Sequence, residues 1–250
     1  MPTTAAYRRD WEAIASVDPY WAVLSDPGRK HHRWEEDEFF ATGQREVSER
    51  LAVAAELGVP RGHSRALDFG CGLGRTAREL AAHFDRCTGL DITEAMLSRA
   101  RELNAHVSNL DFVRADGSQP LPFDDQTFDG VYSSIVLQHL PKADDARAAI
   151  GELARVTASG GLLCFQIPAA LGLAVRLQPR RTAYKALRAV RIPERLLYER
   201  LGLHPIRMLA LPRAEVESIL AGSGLEVHDV KEWRDPDWRF SSALYFATRP

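Results

Sequence analysis

The sequence predicts an α/β fold built on a doubly wound, mostly parallel sheet. Three observations carry that expectation. An apolar run closes on Asp68 and is followed by glycines at 70, 72 and 74 and then by a helical pattern, the layout of a strand-to-helix turn at the switch point of such a sheet. Short apolar segments then alternate with helical patterns downstream, with strand-like runs at 87–91 and 110–114. The chain closes with two alternating stretches, 224–233 and 241–248, which read as strands.

Residues 1–62 precede the first strand and hold Trp11, Trp21 and Trp34, three of the five tryptophans. Asp26-Pro-Gly breaks this region, and 35–57 reads as a helix with Phe39, Phe40, Val47, Leu51 and Ala54 on one face. The acids at 35–38 read as a solvated helix start, where negative charge meets the positive end of the helix dipole. His31 and His32 are adjacent, and neighbours on a regular element point apart, so they make a poor metal pair.

At the glycine turn, the missing side chains let the backbone turn sharply and approach a ligand closely. The third glycine, Gly74, comes one residue earlier than the dinucleotide pattern G-x-G-x-x-G requires, and Arg75 holds the position that pattern reserves for glycine. A helix follows over 76–84, then the strand 87–91 ending in Asp91, then a helix over 94–104 for which Asp91 or Thr93 is a candidate N-cap. Asp68 itself reads either as a turn cap or as a functional acid at an otherwise apolar strand end. Asp116-Gly117 reads as a common turn pair or as a ligand contact.

The pattern Asp68-x-Gly70-x-Gly72-x-Gly74 resembles motif I of the class I S-adenosylmethionine-dependent methyltransferases of the small-molecule type. The resemblance covers 65–167 and the tail, with 121–132 and 156–165 similar to the turns into the family's fourth and fifth strands. It implies a Rossmann-like sheet of seven strands, strand seven antiparallel, binding S-adenosyl-L-methionine and releasing S-adenosyl-L-homocysteine. On that resemblance Asp68, Gly70, Cys71, Gly72 and Gly74 form the cofactor turn, with Cys71 acting through its backbone N–H rather than its sulfur. Asp91 accepts from the ribose hydroxyls, Ile92 and Met96 belong to the cofactor site, and Asp116 with Gly117 contacts adenine. Ser133, with Ser134, meets the cofactor's amino group through main-chain carbonyls.

Four segments follow: an N-terminal helical cap (1–62), the cofactor-binding core (63–167), a basic helical lid (168–210) and a C-terminal helix and strand pair (211–250). The lid carries eight arginines and one lysine from 176 to 207 (Arg176, Arg180, Arg181, Lys185, Arg188, Arg191, Arg195, Arg200, Arg207), against Glu194 and Glu199. Leu187, Leu196, Leu197, Tyr198 and Leu201 supply its apolar side. It reads as a cover whose basic groups meet an anionic substrate, or as a helical pair with a solvated basic face, or as a homodimer surface. Membrane-surface binding is disfavoured by the breaks at Pro179, Pro193 and Pro205.

Methyl transfer to a hydroxyl or ammonium requires a proton acceptor, and His139, just past the fourth strand, is the candidate catalytic base, because imidazole titrates near neutral pH. The competing reading has it merely holding a loop. Residues 133–135 read Ser-Ser-Ile, without the Asn/Asp-Pro-Pro-aromatic motif of amino-methylating nucleic-acid enzymes, and Asp18-Pro-Tyr-Trp21 lacks the second proline. A net charge of −2 gives no general affinity for nucleic acid. Cys71, Cys87 and Cys164 have no metal-ligand spacing, and after the fourth strand, where metal-dependent catechol-type enzymes place aspartates, this chain offers His139, so the resemblance implies metal-independent chemistry. The N-terminus lacks a signal-peptide core and there is no long apolar run, which together predict a cytoplasmic protein. The expectation is O- or N-methylation of a small molecule, a secondary metabolite or a sugar-like compound. A repurposed S-adenosylmethionine-binding protein (a cyclase or partner subunit) would keep the same motifs, whereas Arg75 and the Asp116 motif argue against a nicotinamide-dependent oxidoreductase.

Overall fold

In a computed structural model, which describes residues 4–115, 117, 120–235 and 240–250, seven strands form one sheet between layers of helices. Helices α1 (Thr4–Val17), α2 (Pro19–Val23) and α3 (Glu36–Glu56) precede it. Then come β1 (Arg65–Phe69), α4 (Arg75–His83), β2 (Arg86–Asp91), α5 (Glu94–Leu103), β3 (Leu110–Arg114) and β4 (Phe128–Ser133). A single 3-10 turn, Leu137–His139, leads to α6 (Ala143–Val156) and β5 (Thr157–Leu171). Three short helices, α7 (Leu173–Leu177), α8 (Pro179–Ala189) and α9 (Glu194–Glu199), separate β5 from α10 (Arg213–Gly222), β6 (Glu226–Asp235) and β7 (Phe240–Thr248). The strand order is β3-β2-β1-β4-β5-β7-β6, with β7 antiparallel to both of its neighbours, as the family resemblance implies.

Chain order reverses between β1 and β4, so a crevice opens at their carboxyl ends. Ala66, Leu67 and Asp68 of β1 are all buried, because a central parallel strand is covered on both faces. Alternate residues serve opposite layers. Leu67, Val131, Phe165 and Tyr245 pack with Ile150 and Leu153 of α6 and Leu220 of α10. Ala66, Cys87, Tyr132, Cys164 and Phe246 pack with Val47 of α3 and Leu80 of α4. All three cysteines are free and buried.

A third cluster seats the N-terminal helices on the core: Trp21, Phe39 and Phe40 meet Leu73, Met96 and Leu103, with Tyr198 of α9 closing it. The buried side of α3 is Phe39, Phe40, Gly43, Val47 and Ala54, while Leu51 is only partly covered. Asp18 caps α2 by accepting from Trp21 N. It is fully buried and also receives His32 N–H at 3.1 Å and the Tyr198 hydroxyl at 2.7 Å, so its resemblance to a catalytic Asp-Pro motif has a structural origin. His31 and His32 sit in a left-handed turn, not on a regular element, and His31 packs its ring on Tyr198.

The structure moves the start of the lid. The fifth strand continues to Leu171 because β7 supplies ladder partners as far as Phe240, past an irregularity at Pro168/Ala170, so the helical insertion begins at Gly172 and not at 168. Its apolar side is also narrower than the sequence suggests: Leu197, Tyr198 and Tyr184 are buried, whereas Leu196 and Leu201 stay exposed. Among the described residues, no helix is long and apolar enough to cross a membrane.

Candidate active site

The glycine turn is closed by its own backbone. Gly70 N and Cys71 N both donate to Leu90 O, at 2.7 and 3.0 Å, and Gly74 N donates to Cys71 O at 2.8 Å. Gly72 N donates to Asp91 Oδ2 at 3.0 Å. These four amides are therefore committed within the protein and do not form a phosphate cradle of the kind a dinucleotide needs. The Cys71 N–H, expected to face the cofactor, instead ties the turn to β2. Burial pushes the Cys71 thiol well up, which leaves it an inert packing group.

Asp91 sits at the end of β2 and is the turn's anchor. Besides Gly72 N–H, it receives Thr93 N–H at 2.9 Å and the Thr93 hydroxyl at 2.6 Å, both on Oδ1. Thr93 occupies the N-cap position of α5, but its hydroxyl is given to Asp91, and Glu94 N at the helix start is met by Glu12 of α1 at 3.1 Å. Burial raises the Asp91 carboxyl despite these donors.

A cavity of about 630 Å³ opens at the carboxyl ends of β1, β2 and β4. It brings together Gly70, Gly72, Asp91, Ile92, Met96, Gly117 and His139 from the sequence-predicted set, along with Ser134. Cys71, Gly74 and Ser133 do not line it, and Ser133 donates its hydroxyl to Phe69 O at 3.1 Å. Asp68 does not line it either. It is 1% exposed, accepts from the Thr76 hydroxyl at 2.7 Å, and burial pushes its carboxyl up to about 7, only partly offset by that bond. Asp116 lies outside the described residues.

Sequence reasoning missed the far wall of the cavity. Tyr7 and Trp11 of α1 and Val23 just beyond Trp21 roof it, with Ile135, Val136 and Leu140 from the turn after β4, and Lys142 and Asp145 at the start of α6. Trp11 meets His139 edge to face at 5.5 Å. The three tryptophans before the first strand were the available signal, but nothing local distinguishes the one that faces the cavity.

Arg75 also has a defined role. It pairs with Glu46 of α3 at 2.7 Å, and Arg50 and the Tyr132 hydroxyl meet the same carboxylate at 2.9 and 2.7 Å. Burial pushes Glu46 up, but the Arg75 and Arg50 charges overcome it and hold the carboxyl at about 2. The residue that breaks the dinucleotide pattern thus clamps α3 onto the start of α4.

His139 departs from expectation. Its Nδ1 is 2.6 Å from Arg207 O, and burial pulls its pKa down to about 4, only partly offset by that bond. The imidazole is neutral at neutral pH rather than poised there. The lid departs as well: no residue from 172 to 210 lines the main cavity. Arg181 and Arg207 lie 3.9 and 3.8 Å from Asp10 of α1, while Arg188 pairs with Glu194 and Arg195 with Glu199. These four arginines hold the lid to the cap or to itself.

Residues 67–165 match the family described as "Methyltransferase domain". The chain is 36% identical to the O-methyltransferase rstn1 of Aspergillus nomiae over 48% of this chain and 50% of that protein. It is 27% identical to the 27-O-demethylrifamycin SV methyltransferase of Amycolatopsis mediterranei, over 95% of this chain and 80% of that one. The chain spans half or less of the length of the first curated relatives it matches. The fold is shared with magnesium protoporphyrin IX methyltransferase from Synechocystis PCC 6803, solved with bound SAH, at a TM-score of 0.62 and 20% identity, covering 98% of this chain and 99% of that one. Residues 67–165, which hold the committed glycine turn and the acid-closed second strand, thus carry a methyltransferase domain on the fold of the S-adenosylmethionine-dependent methyltransferases, whose cofactor is S-adenosylmethionine.

Proposed function

We propose that this protein transfers a methyl group from S-adenosylmethionine to an oxygen or nitrogen of a small molecule, without a metal. The carrying observation is a single cavity in which the turn after β1, Asp91 and the apolar pair Ile92 and Met96 face Trp11, Tyr7 and His139. The residues fit the cofactor: Asp91 lines the cavity, half-buried, and its carboxylate is an acceptor for a ribose diol, while Ile92, Met96 and Leu121 offer apolar surface to a base. Gly70, Gly72 and Gly117 keep side chains out of its path, and Asp68, Cys71, Gly74 and Ser133 support the turn from behind. Asp116 would contact adenine on the resemblance alone.

When bound, S-adenosylmethionine supplies an electrophilic methyl group on a sulfonium. The chain's task is then to exclude water and align the acceptor, which the apolar roof of Tyr7, Trp11 and Val23 suits. His139, neutral and with Nδ1–H directed to Arg207 O, has Nε2 as its only proton-accepting atom. Its low basicity matches an acceptor that gives up its proton readily rather than an aliphatic alcohol. Relatives named as O-methyltransferases support oxygen as the methylated atom. Lys142 is the one lysine or arginine among the described lining residues, so an anionic acceptor has a single partner there. Among the described residues, no group of three His, Cys, Asp or Glu side chains is placed to hold a metal ion.

Calorimetry with S-adenosylmethionine, S-adenosylhomocysteine and NAD tests the reading. Binding of the first two and not of NAD is expected, and tight NAD binding would overturn it. Asp91→Ala is expected to weaken cofactor binding by about 1.5–3 kcal/mol, and an unchanged affinity removes the ribose role.

A further inference from the structure

A line of hydrogen bonds behind His139 is not used by the reading above. Ile135 N–H donates to Gln166 Oε1 at 3.2 Å, and Gln166 Nε2 donates to Gln138 Oε1 at 3.3 Å and to the Ser242 hydroxyl. Gln138 Nε2 lies 3.4 Å from His139 Nε2, and His139 Nδ1 lies 2.6 Å from Arg207 O. Gln138, Gln166 and Ser242 are buried, so none of them exchanges these partners for water.

Both ends of this line are backbone, which cannot be reversed. Ile135 N–H can only donate and Arg207 C=O can only accept. Starting from Ile135, Gln166 must present its oxygen, hence its amide nitrogen faces Gln138. Gln138 then presents its oxygen to Gln166 and its nitrogen to the imidazole. Starting from Arg207, Nδ1 of His139 must carry the proton, which makes Nε2 the acceptor that Gln138 meets. The two directions agree at the Gln138–His139 contact, so amide orientations and tautomer are fixed together. The first residue of the line, Ile135, has φ +61, a conformation costly for a β-branched side chain, and it lines the cavity.

We propose that Gln166 and Gln138 are positioning residues for His139: their directional amide relay, anchored on the Ile135 and Arg207 backbone, holds the imidazole in its Nδ1–H form and keeps Nε2 proton-free. The relay also joins the strained turn after β4 to the segment where the lid returns to the core. The charged and titratable neighbours are Asp10 and Tyr7 of α1, Arg207 and His204 from the lid's return, and Lys142 and Asp145 at the cavity. The proposal rests on His139 being the group that receives the acceptor's proton, which it does only when the 3.4 Å contact from Gln138 to the Nε2 lone pair opens, but its physical content is the tautomer.

The test is ¹⁵N NMR of histidine-labelled full-length protein, with His139 assigned by the signal lost in His139→Asn. In the unsubstituted protein, the Nδ1–H pattern is expected to persist from about pH 5 to 8. In Gln166→Glu, the side chain still accepts from Ile135 but cannot donate to Gln138, whose amide is then free to turn its oxygen to the imidazole. Nε2–H or imidazolium signal should appear, with the midpoint raised by about one pH unit, a tenfold gain in proton affinity. Gln138→Met removes the donor at Nε2 and should also raise the midpoint while keeping Nδ1–H. If Gln166→Glu does not fold, the Gln138→Met titration decides. Folded variants with unchanged tautomer and midpoint overturn the proposal. If the tautomer responds but His139→Asn transfers methyl groups at an unaltered rate, the base reading fails and the relay stands; a rate that depends on His139 while both relay variants titrate as before is the reverse result.

Discussion

The glycine turn and the helical roof face one cavity and are built differently. The turn is stitched by residues near in sequence: Gly70, Cys71 and Gly72 bond to Leu90 and Asp91, about one strand-helix-strand unit away. The roof is stitched by residues at opposite ends of the chain: Tyr198 of the lid reaches Asp18 of the cap, and Arg181 and Arg207 converge on Asp10. The turn's interactions are committed backbone bonds in a buried place, whereas much of the lid is held by ion pairs that water partly reaches. On the proposed function, the turn holds the cofactor and the roof bears on the acceptor. A rigid turn can define one cofactor, while a roof of distant segments can be exchanged without disturbing it.

The largest test of that contrast is Gly70→Ala. Gly70 has φ +79, and a Cβ there would collide with the Val136 side chain, so strain and collision combine. We expect a loss of about 3 kcal/mol or more in urea unfolding, with cofactor binding abolished. A variant as stable as the parent would break the claim that the turn is rigid.

Asp68→Asn comes next and separates support from contact. The folded protein holds the Asp68 proton up to about pH 7 and the unfolded chain only to about 4, so the native state binds more protons across that window. Stability should therefore fall as pH rises through it, by on the order of 2–4 kcal/mol. Asparagine keeps an acceptor for Thr76 and removes that slope, which thermal unfolding at several pH values would show. Persistence of the slope would remove Asp68 as its source.

Tyr198→Phe tests the roof. Removing the hydroxyl from a buried carboxylate should cost about 1–2 kcal/mol. The loss should appear as faster amide exchange in α9 and α2, with cofactor affinity retained. Faster exchange in α4 and α5 instead would mean the roof and the turn are one unit. The smallest effect is expected for Arg195→Ala, an exposed residue whose partner Glu199 lies one turn along α9: no measurable loss in urea unfolding. A measurable loss would show that the lid's own ion pairs matter to its seating.

The sequence by itself determined the sheet, the turn and the acid that anchors it. Those features are local: alternating apolar runs specify buried parallel strands, and glycines mark where the backbone takes a left-handed turn. Gly70 and Gly72 were legible for that reason, whereas Asp91, Ile92 and Met96 were expected from the family resemblance; their meeting in one cavity follows from strand order. The tertiary structure decided the rest. Asp68 looks like a ligand contact in sequence, but it turns away from the cavity to accept from the Thr76 hydroxyl of α4. His139 looks like a neutral-pH base, yet burial and the Arg207 carbonyl, 68 residues away, set its charge and tautomer. Arg181 and Arg207 look like substrate contacts, but Asp10 of the cap takes them. Side-chain partners drawn from distant segments, and the dielectric they create by packing together, leave no periodic trace along a chain.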